Sequence, residues 1–319
     1  MRRLGSSRWF VALLAVVLSG CSPAFEGALE PIRNSPLTAE QALGDFTTID
    51  YCGFLELGYS GLDGVRVLDE RRGFHHCWMT VEDSAGVSAN VLIGELADES
   101  YNVLTERPDE TVTHQRGLRT QRYSDIWPDS CDRFLLFPDD ISLQISGLGE
   151  ETAKEVQCSI ASVVAEGVRH RVESGKPVAR LEFGSNSFGA VDACATAAGE
   201  EVAAALGEPA EPRIPPSGHW CLWGRYDLPE PSAMVKFRLD DPLQVSADGE
   251  PEVIAGRDSV VRAEEPGSCS VRTQHIAADQ LVPGTVEIAS VFVRQVFTKD
   301  ACTAARELAA VVWKTLPSG

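Results

Sequence analysis

The sequence predicts an α+β protein made of two similar domains, each an antiparallel sheet with an N-terminal and a C-terminal helix packed on it. Runs of strand-like residues are flanked by helical patterns, and this order occurs twice along the chain. Eight of the nine cysteines also repeat at offsets of about 140 residues, the mark of a tandem duplication. The matching positions are Cys52 and Cys194, Cys77 and Cys221, Cys131 and Cys269, and Cys158 and Cys302.

Helices are predicted at both ends of each copy. In the second copy, Asp192 is a suitable N-cap for a helix that runs through Cys194 to Leu206, and Gly207 is its C-terminal glycine. The matching stretch 50–58 contains glycines, which predict a shorter helix there. Amphipathic patterns then predict closing helices, which span 151–172 and 300–316.

Strands are predicted where apolar and polar residues alternate between these helices. The runs are 77–82, 88–93, 111–123, 133–137 and 141–146 in the first copy, and 220–226, 233–239, 259–263, 270–275 and 285–297 in the second. The domains are predicted at 38–177 and 178–319, because 172–187 contains loop-forming residues. The alternation of 178–183 leaves a structured linker open.

The first twenty residues predict a signal peptide. They carry three arginines and then an apolar run, 9–18, much shorter than the roughly 20 residues needed to cross a bilayer. Leu18-Ser19-Gly20-Cys21 resembles the bacterial lipobox, which implies cleavage before Cys21 and palmitate-type acyl chains on its thiol. Residues 21–37, with three prolines, are predicted to be a tether.

The predicted location is therefore extracytoplasmic, with the lipid on Cys21 holding the protein to the outer face of the cytoplasmic membrane. The chain has a net charge of −19, and the leader contains basic residues but no acids, so the mature protein is more acidic still. Because an acidic surface repels phosphate backbones, no nucleic-acid partner is predicted.

With Cys21 assigned to the lipobox, the eight other cysteines predict a disulfide framework, because the outside of the membrane is oxidising. Three pairings are possible in each copy. Sequential pairing is favoured, since each bridge then ties a helix to a strand: Cys52 to Cys77, Cys131 to Cys158, Cys194 to Cys221, and Cys269 to Cys302. The alternative joins Cys52 to Cys158 and Cys77 to Cys131.

An acid-x-Cys at the first helix, the strand motif Cys221-Leu222-Trp223 and a cysteine in the last helix together resemble actinobacterial, mycobacterial-type envelope lipoproteins with tandem disulfide-bonded domains of unknown function. The layout is also similar to extracellular sensor domains of mycobacterial serine/threonine kinases, a resemblance that implies a bridge from a strand to the last helix. The first copy departs from the motif, because Trp78 directly follows Cys77. Trp78 and Trp223 are therefore predicted to face opposite sides of their sheets.

Catalytic and metal motifs are absent from the sequence, so neither a catalytic residue nor a cofactor is predicted. The segment 184–189 has the wrong spacing for a nucleophile elbow and predicts a flexible loop. His75, His76 and His219 lie beside cysteines and would suit zinc if those thiols were free, but oxidation removes the thiols as ligands and no metal is predicted.

Acidic pairs and tryptophans have structural interpretations. The pairs at 139–140 and 240–241 predict solvated turns. The aromatic segments 127–129 and 220–223 predict packing in the core or on a disulfide.

The leading functional hypothesis is a non-enzymatic envelope lipoprotein that binds an unidentified ligand or protein partner. One alternative is an envelope hydrolase with scattered catalytic residues, which would show a histidine hydrogen-bonded to serine and aspartate in a pocket. Another is an accessory or regulatory subunit of a membrane complex, which would show an exposed apolar patch.

Lipidation is testable at the mature N-terminus. Mass spectrometry of protein from the envelope is expected to show a chain that starts at acylated Cys21, because the lipobox places cleavage there. Cys21→Ser is expected to abolish both the acyl mass and membrane retention. An unmodified Cys21, or cleavage elsewhere, contradicts the prediction.

Overall fold

A computed structural model describes residues 35–55, 65–98, 108–123, 130–149, 154–225, 230–244, 249–294, 296 and 299–318. Residues 36–319 form one compact unit. The predicted signal peptide, Cys21, most of the tether and the segment 127–129 lie outside the described residues. In the described part of the chain, no helix has the length and apolar character needed to span a membrane.

The first seven strands form one antiparallel sheet in the order β1-β2-β3-β7-β6-β5-β4. They are β1 (Arg66–Arg72), β2 (His76–Glu82), β3 (Ser88–Asp98), β4 (Glu110–Thr113), β5 (Arg119–Tyr123), β6 (Ser130–Leu136) and β7 (Ile141–Leu148). With the helices around them, these strands are called the first copy below.

The other seven strands form a second antiparallel sheet, here called the second copy with its helices. They are β8 (Pro212–Arg213), β9 (Trp220–Trp223), β10 (Ser232–Asp240), β11 (Glu250–Ile254), β12 (Arg257–Ala263), β13 (Ser268–Ala277) and β14 (Val286–Arg294). Their order, β8-β9-β10-β14-β13-β12-β11, repeats that of the first sheet. The α+β class with two similar antiparallel sheets is therefore as predicted.

The repeat extends to the backbone register. Cys77 in β2 pairs with Ile93, and Cys221 in β9 pairs with Val235. On the other side of each sheet centre, Cys131 pairs with Gly147 as Cys269 pairs with Val293. Equivalent residues of the two copies can therefore be assigned from strand pairing as well as from the cysteine offsets.

Within the described residues, four α-helices accompany the sheets: α1 (Ala39–Leu43), α2 (Lys154–Glu173), α3 (Gly199–Leu206) and α4 (Ala301–Thr315). The buried side of α2, including Val164, shares a core with the first sheet, and the buried side of α4, including Leu308, shares one with the second. Asp300 caps α4 by accepting a hydrogen bond from the Thr303 N–H. The apolar stripe of each long helix thus packs against one face of its sheet.

The four disulfides have the sequential connectivity favoured above: Cys52–Cys77, Cys131–Cys158, Cys194–Cys221 and Cys269–Cys302. The first cysteine of each copy lies in a 3-10 turn, Tyr51–Phe54 or Ala193–Thr196. In each turn an aspartate accepts a hydrogen bond from the cysteine N–H, Asp50 in the first copy and Asp192 in the second. The same local cap therefore presents equivalent cysteines to equivalent strands.

The helix predicted from Asp192 to Leu206 is wrong as one element. A 3-10 turn holds Cys194 against β9, and the backbone is extended at Ala198 before α3 begins at Gly199. The Ala198 N–H donates to the Glu201 carboxylate, which starts a new helix. Gly207 ends that helix in the left-handed conformation, as expected.

The predicted strand 111–123 is also wrong as one element. Arg116 and Gly117 both have positive φ, which an extended strand does not allow, and they turn the chain between β4 and β5. The tryptophan prediction is confirmed, because Trp223 is 1% exposed in the core whereas Trp78 is 36% exposed on the other face. Asp139 lies in the β6–β7 turn and accepts a hydrogen bond from Ala39 N–H at the start of α1.

Residues 179–181, which connect the two copies, form hydrogen bonds with the first copy. Asp50 N–H donates to the Ala179 carbonyl, and Leu181 N–H donates to the Thr48 carbonyl. The Arg180 guanidinium donates to the backbone carbonyls of Leu43 and Asp45. The linker is therefore structured, while the division into separate domains at 177/178 stays a prediction.

Removal of the Arg180 side chain tests this linker. Arg180→Ala is expected to lower the free energy of unfolding by about 1–3 kcal/mol, because two carbonyls lose charge-assisted hydrogen bonds. Arg66→Ala is the control, since its ion pair with Glu82 is exposed and is expected to contribute less than about 1 kcal/mol. Urea unfolding measures the stability of both variants. Equal unfolding midpoints for the two contradict the stabilising role of Arg180.

Candidate functional site

Equivalent positions of the two copies meet at one junction. The rings of His75 and His219, which precede Cys77 and Cys221 by two residues each, lie 6.5 Å apart between centroids. Nearby, Lys236 Nζ lies 3.0 Å from Glu95 Oε1, and both residues occupy the same region of their central strands, β10 and β3. Contact between equivalent surfaces is the arrangement that a symmetric dimer uses, here within one chain.

A bulge in β3 places Glu95 at this junction. Ile93 pairs with Ile145 and Leu96 with Leu143, so β3 has one residue more than β7 between these pairs. The equivalent part of β10 pairs regularly with β14 and has no such insertion. Gly94 has φ +126°, and a Cβ on it would lie 2.5 Å from the His75 carbonyl oxygen. Glycine is therefore required where β2 and β3 approach, and the bulge redirects the next side chain.

Glu95 links the two copies electrostatically. Its carboxylate accepts from Lys236 Nζ, and the same oxygen lies 3.0 Å from His75 Nε2. The side chains of Glu95 and Lys236 are about one third and one quarter exposed. Burial opposes ionisation of Glu95, but the Lys236 ammonium holds the pKa of that carboxyl well below its usual range. The carboxylate is therefore charged at every physiological pH.

The neighbouring histidines are neutral. Burial, aided by the Lys236 charge, lowers the pKa of fully buried His75 to about 3 and that of His76 to about 4. Neither ring nitrogen of His75 has an aligned hydrogen-bond partner among the described residues. The Tyr51 hydroxyl is likewise buried without a described partner, and burial and the Glu95 charge raise its pKa. Buried polar atoms without hydrogen-bond partners are uncommon in folded proteins, so this cluster is a candidate functional site.

A cleft of about 700 Å³ opens beside the cluster. It lies between the outer side of β1, β2 and β3 and the outer side of β10, so both copies line it. Its charged and aromatic lining consists of Asp69, Arg71, Arg72, His76, Trp78, Lys236, Arg238 and Asp240. Its volume is in the usual range for small-molecule sites.

The arginines of the cleft are already paired with acids, and the pair made by Arg71 is weak. Arg238 lies 3.0 Å from Asp240, and Arg71 lies 3.7 Å from Asp69. Arg71 and Asp69 are both more than 60% exposed, and such surface pairs contribute only about 0–1 kcal/mol. An anionic ligand can therefore replace Asp69 as the partner of Arg71 at small cost.

His219 is not part of the metal-type cluster suggested by the sequence. Its Nε2 lies 3.1 Å from the Gly189 carbonyl, and its ring packs against Phe74, 5.4 Å between centroids. Phe74 belongs to the first copy but is buried in the core of the second, so its contact with His219 joins the two copies. All cysteines near the histidines are in disulfides and cannot bind metal.

Two other sequence-based interpretations are resolved. The segment 184–189 is not a free loop, because Ser187 is buried and donates a hydrogen bond to Glu287 of β14. Asp240 ends β10 instead of lying in a turn, whereas Asp140 adopts the positive φ of a turn residue. Trp223 packs in the core as expected for the segment 220–223.

No known protein family, curated protein or solved structure matches this chain. Four disulfides indicate an oxidising, extracytoplasmic environment. The functional argument therefore depends on the geometry of the cleft and its neighbouring cluster.

Sequence reasoning missed Glu95 and Lys236. A glycine within a strand-like run is a recognised sign of a bulge, so Gly94 was the available signal for Glu95. Lys236 lies in a regular alternating strand and carries no such signal. Only contact between the copies brings the two residues together.

The buried histidines predict a pH-dependent stability. Because the folded-state pKa of His75 is about 3, below its ordinary 6.5, the unfolded chain binds more protons between those values and stability falls as the pH is lowered through them. His75→Gln is expected to reduce the slope of the unfolding free energy by about 1.4 kcal/mol per pH unit between pH 6 and 4. Exposed His170→Gln is the control and is expected to keep the wild-type slope. Equal slopes for wild type and His75→Gln, measured by urea unfolding, contradict a neutral buried His75.

Proposed function

We propose that this protein is a non-enzymatic, lipid-anchored binding protein of the cell envelope that holds a small anionic ligand in the cleft between its two copies. The observation that carries the proposal is the cleft itself, which is lined by arginines, with a weak ion pair at Arg71, and by a partly exposed tryptophan. Guanidinium groups suit carboxylates and phosphates, and an aromatic face suits a flat or apolar portion of the same ligand.

Two copies are needed for this site, and that requirement explains the tandem arrangement. Arg71 and Trp78 come from the first sheet, while Lys236 and Arg238 come from the second. Neither sheet alone forms a wall on both sides of the ligand. The charged residues also face away from the helix-covered cores, so ligand exchange need not disturb the packing of α2 or α4.

The proposed location of the protein is the outer face of the cytoplasmic membrane. It is supported by the lipobox resemblance at Cys21, by the four disulfides and by the resemblance to actinobacterial envelope lipoproteins. The predicted tether would separate the cleft from the lipid surface. A ligand in the cell wall space or at the membrane is then within reach.

The hydrolase alternative has less support from the geometry. Ser217 Oγ and His219 Nδ1 are both buried near one small cavity, but neither has a hydrogen-bond partner among the described residues. A serine nucleophile requires a base aligned on its hydroxyl. The binding interpretation is therefore preferred.

Small molecules that accompany the protein test the proposal. Lipoprotein purified from its native envelope is denatured, and the released compounds are identified by mass spectrometry. An anionic compound is expected with wild type and is expected to be at least about tenfold depleted with Trp78→Ala/Arg238→Ala, because both contacts are lost.

The matched control is Val253→Ala, which changes an exposed apolar residue of the second sheet outside the cleft. It is expected to retain the compound. Equal recovery from the cleft variant and wild type, or no anionic compound with either, rejects the proposed site.

A further inference from the structure

We propose that His75, His76 and Glu95 bind a divalent first-row transition metal ion, with Zn²⁺ as its representative. One nitrogen from each histidine and one carboxylate oxygen lie within 4.8 Å of one another. The proposal goes beyond the proposed function and shares with it only His76, which also lines the ligand cleft.

The spacing of the donor atoms is close to that of metal ligands. Tetrahedral zinc with bonds of about 2.0–2.1 Å holds its ligand atoms roughly 3.3 Å apart. His75 Nε2 and Glu95 Oε1 are 3.0 Å apart, yet the ring nitrogen is not aligned for a hydrogen bond. The rings of His75 and His76 are also close, with centroids 4.7 Å apart. Small side-chain movements are therefore enough to bring three donors around one ion.

The chemistry of the donors selects the class of metal. Imidazole favours zinc, copper, iron and nickel, whereas calcium and magnesium prefer oxygen ligands alone. The set contains no thiol, which makes it compatible with an environment in which Cys77 is oxidised.

Two further features indicate a ligand at this cluster. His75 is fully buried and has no aligned partner, and the Tyr51 hydroxyl is buried beside the Glu95 charge in the same condition. The β3 bulge that presents Glu95 is absent from the equivalent strand of the second copy. Bulges that redirect a side chain are frequent at binding sites.

The Lys236 ammonium competes with the metal ion for the Glu95 carboxylate. Its ammonium lies 3.0 Å from Glu95 Oε1, so positive charge is already favoured at this point. The side chain is long, one quarter exposed and borders the cleft, which gives it room to withdraw. Metal binding must displace this ammonium, and removal of the charge must strengthen metal binding.

The test is Zn²⁺ titration of the full mature protein by isothermal calorimetry after treatment with a chelator. Wild type is expected to bind one ion, and Co²⁺ in its place is expected to give the visible absorption of a tetrahedral site. His76→Asn and Glu95→Gln are expected to weaken Zn²⁺ binding by more than the roughly 10- to 100-fold typical of a lost supporting contact. Lys236→Met is expected to tighten it by about tenfold or more, because a like charge is removed.

His170→Asn is the matched control on an exposed histidine and is expected to bind Zn²⁺ as wild type does. Thermal unfolding shows whether each variant is folded. If Glu95→Gln does not fold, the His76→Asn variant decides the result, because His76 is only partly buried. Wild-type affinity in His76→Asn, or no tightening in Lys236→Met, overturns the metal site.

Trp78→Ala separates this inference from the proposed function, because Trp78 lines the cleft without being a metal ligand. Normal Zn²⁺ binding by this variant, together with no anionic compound from wild type, leaves the metal site and rejects the cleft ligand. An anionic compound that depends on Trp78 and Arg238, with no Zn²⁺ binding by wild type, rejects the metal site alone.

Discussion

The structure depends on the fact that each sheet has two faces, while the described residues supply one long helix per sheet to cover them. α2 and α4 share cores with one face of the first and second sheet. Around the cleft the other face carries charged side chains, including Arg71, Lys236 and Arg238, since burial of unpaired charges is costly. Where these outer faces approach each other, the charges must be paired across the junction, and Glu95 and Lys236 provide that pair.

Duplication supplies the scaffold, and divergence between the copies supplies the site. Strand order, the strand pairing at the cysteines and the disulfide connectivity are the same in both copies. The differences fall where the copies meet: the first has the Gly94 bulge and Glu95, whereas the second has a regular strand with Lys236. A symmetric pair of identical copies would place like charges together at this point, which is unfavourable. Asymmetry at equivalent positions is thus an electrostatic requirement of the junction.

The junction also makes the two copies mechanically dependent. Phe74 of the first copy is buried in the core of the second, beside His219, and Val178 is buried in the core of the first. The disulfides stabilise each copy internally and do not cross between them. The relative placement of the cleft walls therefore relies on noncovalent contacts, which is suited to a site that must admit and release a ligand.

The sequence by itself determined the repeat and the α+β class and favoured the sequential disulfide pairing, because hydrophobic periodicity is a local property and the cysteine spacing recurs in each copy. It did not reveal β1 and β11, whose many exposed residues lack clear alternation. The strand predicted over 111–123 was not divided, although Gly117 was an available signal for the turn, because the positive φ of its neighbour Arg116 is rare for that residue type. The tertiary structure alone decided which histidines belong together. His75 and His76 join Glu95 across the β2–β3 pair, and His219 is held by the Gly189 carbonyl. Lys236 reaches the Glu95 carboxylate only because one sheet packs against the other, since the two residues are 141 positions apart.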